Sequence, residues 1–296
     1  MNVRLRAHLG LLACSFFWGV TFVVVKNALA DISVFAYLSA RFMLGSLPMI
    51  WIYKEDLRKL TRGEAWAGIQ VGLLMFGGYS FQTAGIARTT PSKAAFITGL
   101  SVVLVPLFLA VFWRRKIGAW AWGGAAGSFA GLYFLTVPAE GLSRLNRGDM
   151  LVMGCAVLYA LQIIFIARYT GKYSLGALSC LQVILTGVLS TIAVPLLNVA
   201  GFEHFFVRFT PQMEFGVIIT ALFTTALAYP LLVWGQTHTT PTNTALILTT
   251  EPVFAAFTSF LVLHERLGGR SLAGALLILS GICAAEWKGT VPSAGS

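Results

Sequence analysis

From Thr239 to Glu286 the chain reads as two long apolar runs separated by one short polar interruption. The first run opens on Thr239-Thr240-Pro241, a turn signal, and holds a single acid, Glu251, directly before Pro252. His264-Glu265-Arg266 separates it from a second, glycine-spaced run. A hydrocarbon layer about 30 Å thick is crossed by about 20 helical residues, so each run is long enough for one span. The same punctuation along the whole chain marks ten stretches: 9–29, 33–53, 65–87, 94–113, 118–137, 149–169, 175–199, 213–236, 243–263 and 271–288. The largest connectors, Tyr53–Glu64, Pro138–Asp149 and Ala200–Gln212, are too short for a soluble domain.

The pattern recurs 150 residues apart. Tyr79 corresponds to Tyr229, Gly85 to Gly235, and Thr89-Thr90-Pro91 to Thr239-Thr240-Pro241. Gly118, Gly124 and Gly131 correspond to Gly268, Gly274 and Gly281. Such a series in register marks a duplication, with halves at 1–142 and 143–296. Each half has five spans, an odd number, so the second copy inserts upside down. The expected fold is an all-α integral membrane protein of ten transmembrane helices in two inverted five-helix repeats. Inverted repeats point to transport, because two halves facing opposite ways can exchange shapes and open one central site to each side in turn.

Composition supports the membrane assignment. Apolar residues make up 57% of the chain and charged residues 11%, where a soluble domain has about a quarter charged. The formal charge of +10 falls mostly between the apolar runs, where basic groups meet lipid headgroups, so it does not indicate nucleic acid. With the N-terminus inside, Lys and Arg divide 12 inside to 8 outside, with Arg41 within a span. That bias places both termini in the cytoplasm. Arg4 and Arg6 before an apolar run mimic a secretory signal, but the run has span length and no cleavage site, so it reads as the first helix. Cys14, Cys155, Cys180 and Cys283 all lie in apolar runs, with neither the spacing of a metal site nor that of a disulfide framework. There is no GxxxxGK[ST], HExxH or GxSxG stretch, and His8, His204, His238 and His264 stand apart at or near span ends. No cofactor, no metal and no enzymatic activity are expected.

Several residues carry a family likeness: Trp18-Gly19-x-x-Phe22, Arg41-Phe42, and Lys93-Ala94-Ala95-Phe96-Ile97-Thr98-Gly99-Leu100 with Val105-Pro106. Glu251-Pro252, His264-Glu265-Arg266-Leu267 and Gly274-Ala275-x-Leu277-Ile278-Leu279-x-Gly281 complete the set. In this order and spacing the chain resembles the drug/metabolite transporter superfamily, specifically the EamA-type bacterial permeases. One departure is Arg114-Arg115-Lys116, where members often carry a Gly-Glu-Arg type connector. The resemblance implies a multi-pass protein of the bacterial cytoplasmic membrane that moves amino acids, other metabolites or cationic drugs, usually outward. The expected function is secondary active transport of small organic solutes, as an exporter of amino acids or related metabolites, by alternating access with proton antiport. The alternatives are efflux of cationic drugs or quaternary amines, and a non-transporting sensor or assembly protein. The partners expected are the solute and the lipid bilayer, with the oligomeric state open between monomer and homodimer.

Ionisable groups inside spans are costly and so mark candidate sites. Arg41 and Glu251 fall at levels about 6 Å apart in a layer of about 30 Å, which allows either a structural ion pair or a substrate site. Glu251 is the candidate for proton coupling. An isolated buried carboxyl takes a proton readily, whereas a neighbouring Arg41 or Lys93 would keep it ionised. Its counterpart 150 residues earlier is Ser101. Tyr79 and Gln82 share a helix face, as do Tyr159 and Gln162, with Tyr159 corresponding to Trp18. With Tyr229, these aromatic and amide groups would line a cavity for an amphipathic molecule. Lys93, whose counterpart is Asn243, is a candidate entrance residue or a snorkelling lysine. Pro106, Pro195, Pro230 and Pro252 can bend their helices, with Pro252 the best hinge.

Overall fold

The computed structural model describes residues 3–137, 145–263 and 268–288. Nearly all of this is helix, and among the described residues there is no strand, only two isolated bridges. Apolar surroundings demand this, because a helix satisfies its backbone N–H and C=O groups within its own segment. In order the helices are α1 (Val3–Ala28), α2 (Val34–Ile52), the short α3 (Lys54–Arg58), α4 (Arg62–Arg88), α5 (Pro91–Thr98), α6 (Ser101–Val111) and α7 (Ala119–Thr136). There follow α8 (Arg147–Tyr169), α9 (Leu175–Val199), α10 (Pro211–Ala221), a π-helical turn (Leu222–Leu227) and α11 (Ala228–Gln236). The last three are α12 (Pro241–Leu248), α13 (Glu251–Leu263) and α14 (Gly269–Lys288). Among the described residues, six segments are long and apolar enough to cross a membrane: α1, α2, α8, α9, Pro91–Val111 and Pro211–Gln236. Each apolar stretch read from the sequence is helical over most of its described length. The His264-Glu265-Arg266-Leu267 connector lies outside the described residues.

The Thr-Thr-Pro signals are helix starts. Thr90 and Thr240 accept the amides of Lys93 and Asn243, while Pro91 and Pro241 take the first helical position, where no N–H is needed. The helices therefore begin a few residues before the apolar stretches do. Two full capping boxes, Thr61 with Glu64 and Asn146 with Asp149, start α4 and α8.

Three irregularities interrupt the apolar runs, two of them beside prolines, Pro252 and Pro230, that the sequence marks as bends. The fourth stretch breaks between α5 and α6, and the ninth between α12 and α13. Pro252 has no N–H for the Leu248 carbonyl, and the Thr249 and Thr250 hydroxyls donate back to Leu246 and Ile247. The eighth stretch widens into the π turn just before Pro230, which cannot donate to Ala226. Against the α12–α13 break lies Gly19, where a Cβ would sit 2.3 Å from the Glu251 carbonyl oxygen. Only glycine lets α1 approach this closely.

Helices α7 and α14 pack backbone to backbone. A Cβ at Gly124, Gly131 or Gly274 would lie 2.6 Å from a carbonyl oxygen of the facing helix, and one at Gly281 would lie 2.8 Å from one. Small residues permitting close contact are how helices associate where lipid supplies no hydrophobic drive. At the end of the bundle where α1 stops, the connectors before α2 and after α9 interlock. Ser33 N–H donates to Phe206, Arg208 N–H to Asp31, and the Glu203 carboxylate accepts Val34 and Phe35 amides at 2.6 and 3.2 Å. At the opposite end Glu64 accepts the Ser174 amide at 3.0 Å.

Candidate functional site

A cavity opens in the interior where α1, α2, α4, α8 and α11 face the two helix breaks. Trp18, Arg41, Tyr79, Gln82, Tyr159, Gln162, Tyr229 and Glu251 all line it. Thr21, Thr83, Thr98, Ser101 and Thr249 add hydroxyls, and Phe22 another ring.

Arg41 is 4% exposed. Its Nε donates to Thr225 at 3.0 Å, and its Nη2 to Thr224 at 2.8 Å and the Tyr79 hydroxyl at 3.3 Å. The guanidinium carbon lies 4.7 Å from the Tyr79 ring centre and 5.0 Å from that of Phe42, a cation–π setting that offsets part of the cost of burial. No carboxylate among the described residues pairs with it, and Nη1 makes no hydrogen bond there. A guanidinium carries five N–H donors in a fork that matches a carboxylate. Arg41 thus faces the cavity with donors unspent.

The aromatic groups form one cluster. Tyr229 donates to the Tyr79 hydroxyl at 2.9 Å, and Tyr79, accepting twice, keeps its own proton for another partner. The Trp18 indole donates to the Thr224 carbonyl at 2.9 Å and lies 5.7 Å from the Tyr229 ring. Tyr159 donates to Gln82 Oε1 at 3.0 Å and packs edge-on to Tyr79 at 5.5 Å. Gln162 donates to the buried Gln182 at 2.9 Å. Glu251 begins α13 half-buried at the cavity edge, and its carboxylate has no hydrogen-bond or ion-pair partner among the described residues. Arg41 and Glu251 therefore form no salt bridge in this state, and both charges are open to a ligand.

Lys93 lies off this lining. Its ammonium is 3.2 Å from Asp149, whose side chain is fully buried and also accepts from Thr89 and the Asn146 amide. The sequence placed Asp149 at the edge of a span, where an acid draws no notice. Thr224, Thr225 and Gln182 were also missed. The signal for the threonines was a pair of hydroxyls in an apolar run just before Pro230, and the π turn is what presents both to Arg41.

A family model described as "EamA-like transporter family" matches residues 5–137 and 146–285. An uncharacterized transporter of Archaeoglobus fulgidus is 33% identical over 281 residues, 93% of this chain and 84% of that protein. The uncharacterized transporter YoaV of Bacillus subtilis is 24% identical, over 94% of this chain and 95% of its own. A solved crystal structure superposes with a TM-score of 0.78 at 16% identity, covering 95% of this chain and 96% of that one. That likeness is one of fold.

Proposed function

Since the chain belongs to the EamA-like transporter family, we propose that it is a secondary active exporter of amino acids or related zwitterionic metabolites, working by alternating access. The observation that carries this reading is the pair of unspent charges on one cavity, the Arg41 guanidinium and the Glu251 carboxylate. An α-carboxylate would take the free Arg41 donors and an ammonium would approach Glu251. The rings of Trp18, Tyr79, Tyr159 and Tyr229 would hold the side chain.

Alternating access needs two halves that exchange roles, here 1–142 and 143–296 as inverted repeats of five spans each. Several contacts support this, because they map onto one another when the halves are swapped. Gly85 packs on Val152, and Gly235 on Leu11. The first members stand 150 apart and the second members 141 apart, as do Ser33 and Ser174, which occupy the N-cap positions of α2 and α9. Gly124 against Gly281 exchanges with Gly131 against Gly274. The Tyr79–Tyr229 hydrogen bond is its own image. Position rises along α7 as it falls along α14, so the two run antiparallel, and a two-fold axis exchanging them passes between the helices, perpendicular to both. That is the arrangement of an inverted pair, with the axis in the membrane plane. With both termini cytoplasmic, the α1–α2 connector faces outward across the cytoplasmic membrane.

Glu251 is the proton carrier in this proposal. It holds a proton while the site faces outward and gives it up when an ammonium arrives from inside, so an outgoing substrate exchanges for an incoming proton. The second reading, efflux of cationic drugs or quaternary amines, is favoured by the same aromatic rings beside one acid. Counterflow in proteoliposomes separates the two. Amino acids should exchange and be driven by an imposed pH gradient, and quaternary amines should not compete. Competition by the amines without amino-acid exchange would select the second reading, and no flux of either would remove both.

A further inference from the structure

We propose that the crevice bounded by the packed pair α4 and α8, the start of α2 and the end of α9 binds an anionic phospholipid, its acyl chain in the crevice and its phosphate between Arg88 and Arg147. The crevice lies at the end of the bundle where α4 stops and α8 begins. Phe35, Phe81, Met150, Gly154, Leu197 and Phe202 supply its apolar walls. From Arg88 to Phe81 is seven residues of helix, about 10 Å, the depth of the upper part of an acyl chain. A cleft of this kind in a bilayer is filled by hydrocarbon, since water is absent and an empty void forfeits contacts.

Charge selects the headgroup. Gly148 brings the two arginines together, because a Cβ there would lie 2.9 Å from the Arg88 backbone and its Cβ. Arg88 and Arg147 are both exposed, and neither has a carboxylate partner among the described residues. Arg88 donates only to Ala84 of its own helix, at 2.8 Å. Among the described residues two acids stand nearby, and both are engaged. Asp149 is held by Lys93 and Thr89, and both oxygens of Glu203 accept amides at the start of α2. Two exposed arginines lining one apolar cleft, neither with a carboxylate partner among the described residues, match a phosphate with a chain attached.

The test uses the purified full-length protein and native mass spectrometry, with thermal unfolding as a second readout. Phosphatidylglycerol should be retained over phosphatidylcholine of the same chains by roughly thirtyfold, two arginines acting near the surface. Arg88→Gln/Arg147→Gln should abolish that preference. Leu197→Trp, which fills the cleft without changing charge, should lower the retention of phosphatidylglycerol. Inorganic phosphate alone should leave the unfolding temperature unchanged. Equal retention of the two lipids by the unaltered protein would overturn the proposal, even if the arginine variant failed to fold. An undiminished preference in the double variant, undiminished retention in Leu197→Trp, or a shift produced by free phosphate would also overturn it.

Discussion

Arg41 shows what one residue in the cavity is arranged to do. Three of its hydrogen bonds fix the guanidinium on Thr224, Thr225 and Tyr79, while Nη1 stays uncommitted. A side chain so held recognises a carboxylate with little further loss of freedom. Arg41→Ala should therefore weaken binding of a transported amino acid roughly a hundredfold, the worth of charge-assisted hydrogen bonds, and leave the matching decarboxylated amine unaffected. Ligand-dependent thermal shifts measure both, and equal losses for the two would mean that Arg41 only supports the fold. Glu251→Gln should keep counterflow exchange and lose flux driven by a pH gradient, and retention of pH-driven flux would remove Glu251 as proton carrier. The eight cavity residues were legible in the sequence because polar groups inside apolar runs need a reason. Gln182 was not. It corresponds to Arg41 at an offset of 141, and the series read from the sequence was the one at 150.

Among the elements, most of what the sequence conveyed was length and apolarity, and most of what it hid was irregularity. The α12–α13 break and the π turn lie just before Pro252 and Pro230, whose effect is felt several positions earlier, as Pro230 acts on Ala226, whereas the α5–α6 break lies well before Pro106. A hydropathy pattern averages such effects away. The glycine spacing of α7 and α14 was visible, but which glycines touch a neighbour was not. Gly124 and Gly131 meet the backbone of α14, whereas Gly127 has nothing within 4 Å of its would-be Cβ. Gly131→Ala should force the two backbones apart, costing about 1–3 kcal/mol. Gly127→Ala should be neutral or raise stability by about 0.5–1 kcal/mol, since alanine suits a helix interior better. Thermal unfolding of the two variants side by side checks this. A Gly131→Ala variant as stable as Gly127→Ala would mean the α7–α14 contact is not close in solution.

At the scale of the whole molecule, the proposed halves 1–142 and 143–296 differ in how their ends are fastened. At the end where α4 stops, Lys26 reaches from α1 to the carbonyls of Ile86, Ala87 and Thr89, at 2.7, 3.1 and 3.1 Å. Beside it, the Lys93–Asp149 bridge ties α5 to α8. At the other end the corresponding positions are Ala167 for Lys26, Asn243 for Lys93 and His8 for Asp149, so no lysine ammonium fastens that end at these positions. If the halves exchange shapes in transport, the ammonium-mediated bonds of Lys26 and Lys93, which have no lysine counterpart at the other end, bias the resting equilibrium against opening their end. Lys26→Met keeps most of the side-chain stem and removes the ammonium, leaving α1 free of the last turn of α4. Losing such bonds shifts the balance by roughly tenfold, and a cysteine at Thr98, on the cavity wall, reports it. In a background lacking the native cysteines, an impermeant thiol reagent added on the side where α4 ends should label the Lys26→Met variant about tenfold faster, the same shift in population. Labelling from the opposite side should slow. An unchanged rate from both sides would mean that Lys26 only caps a helix and that the asymmetry between the two ends has no part in the cycle.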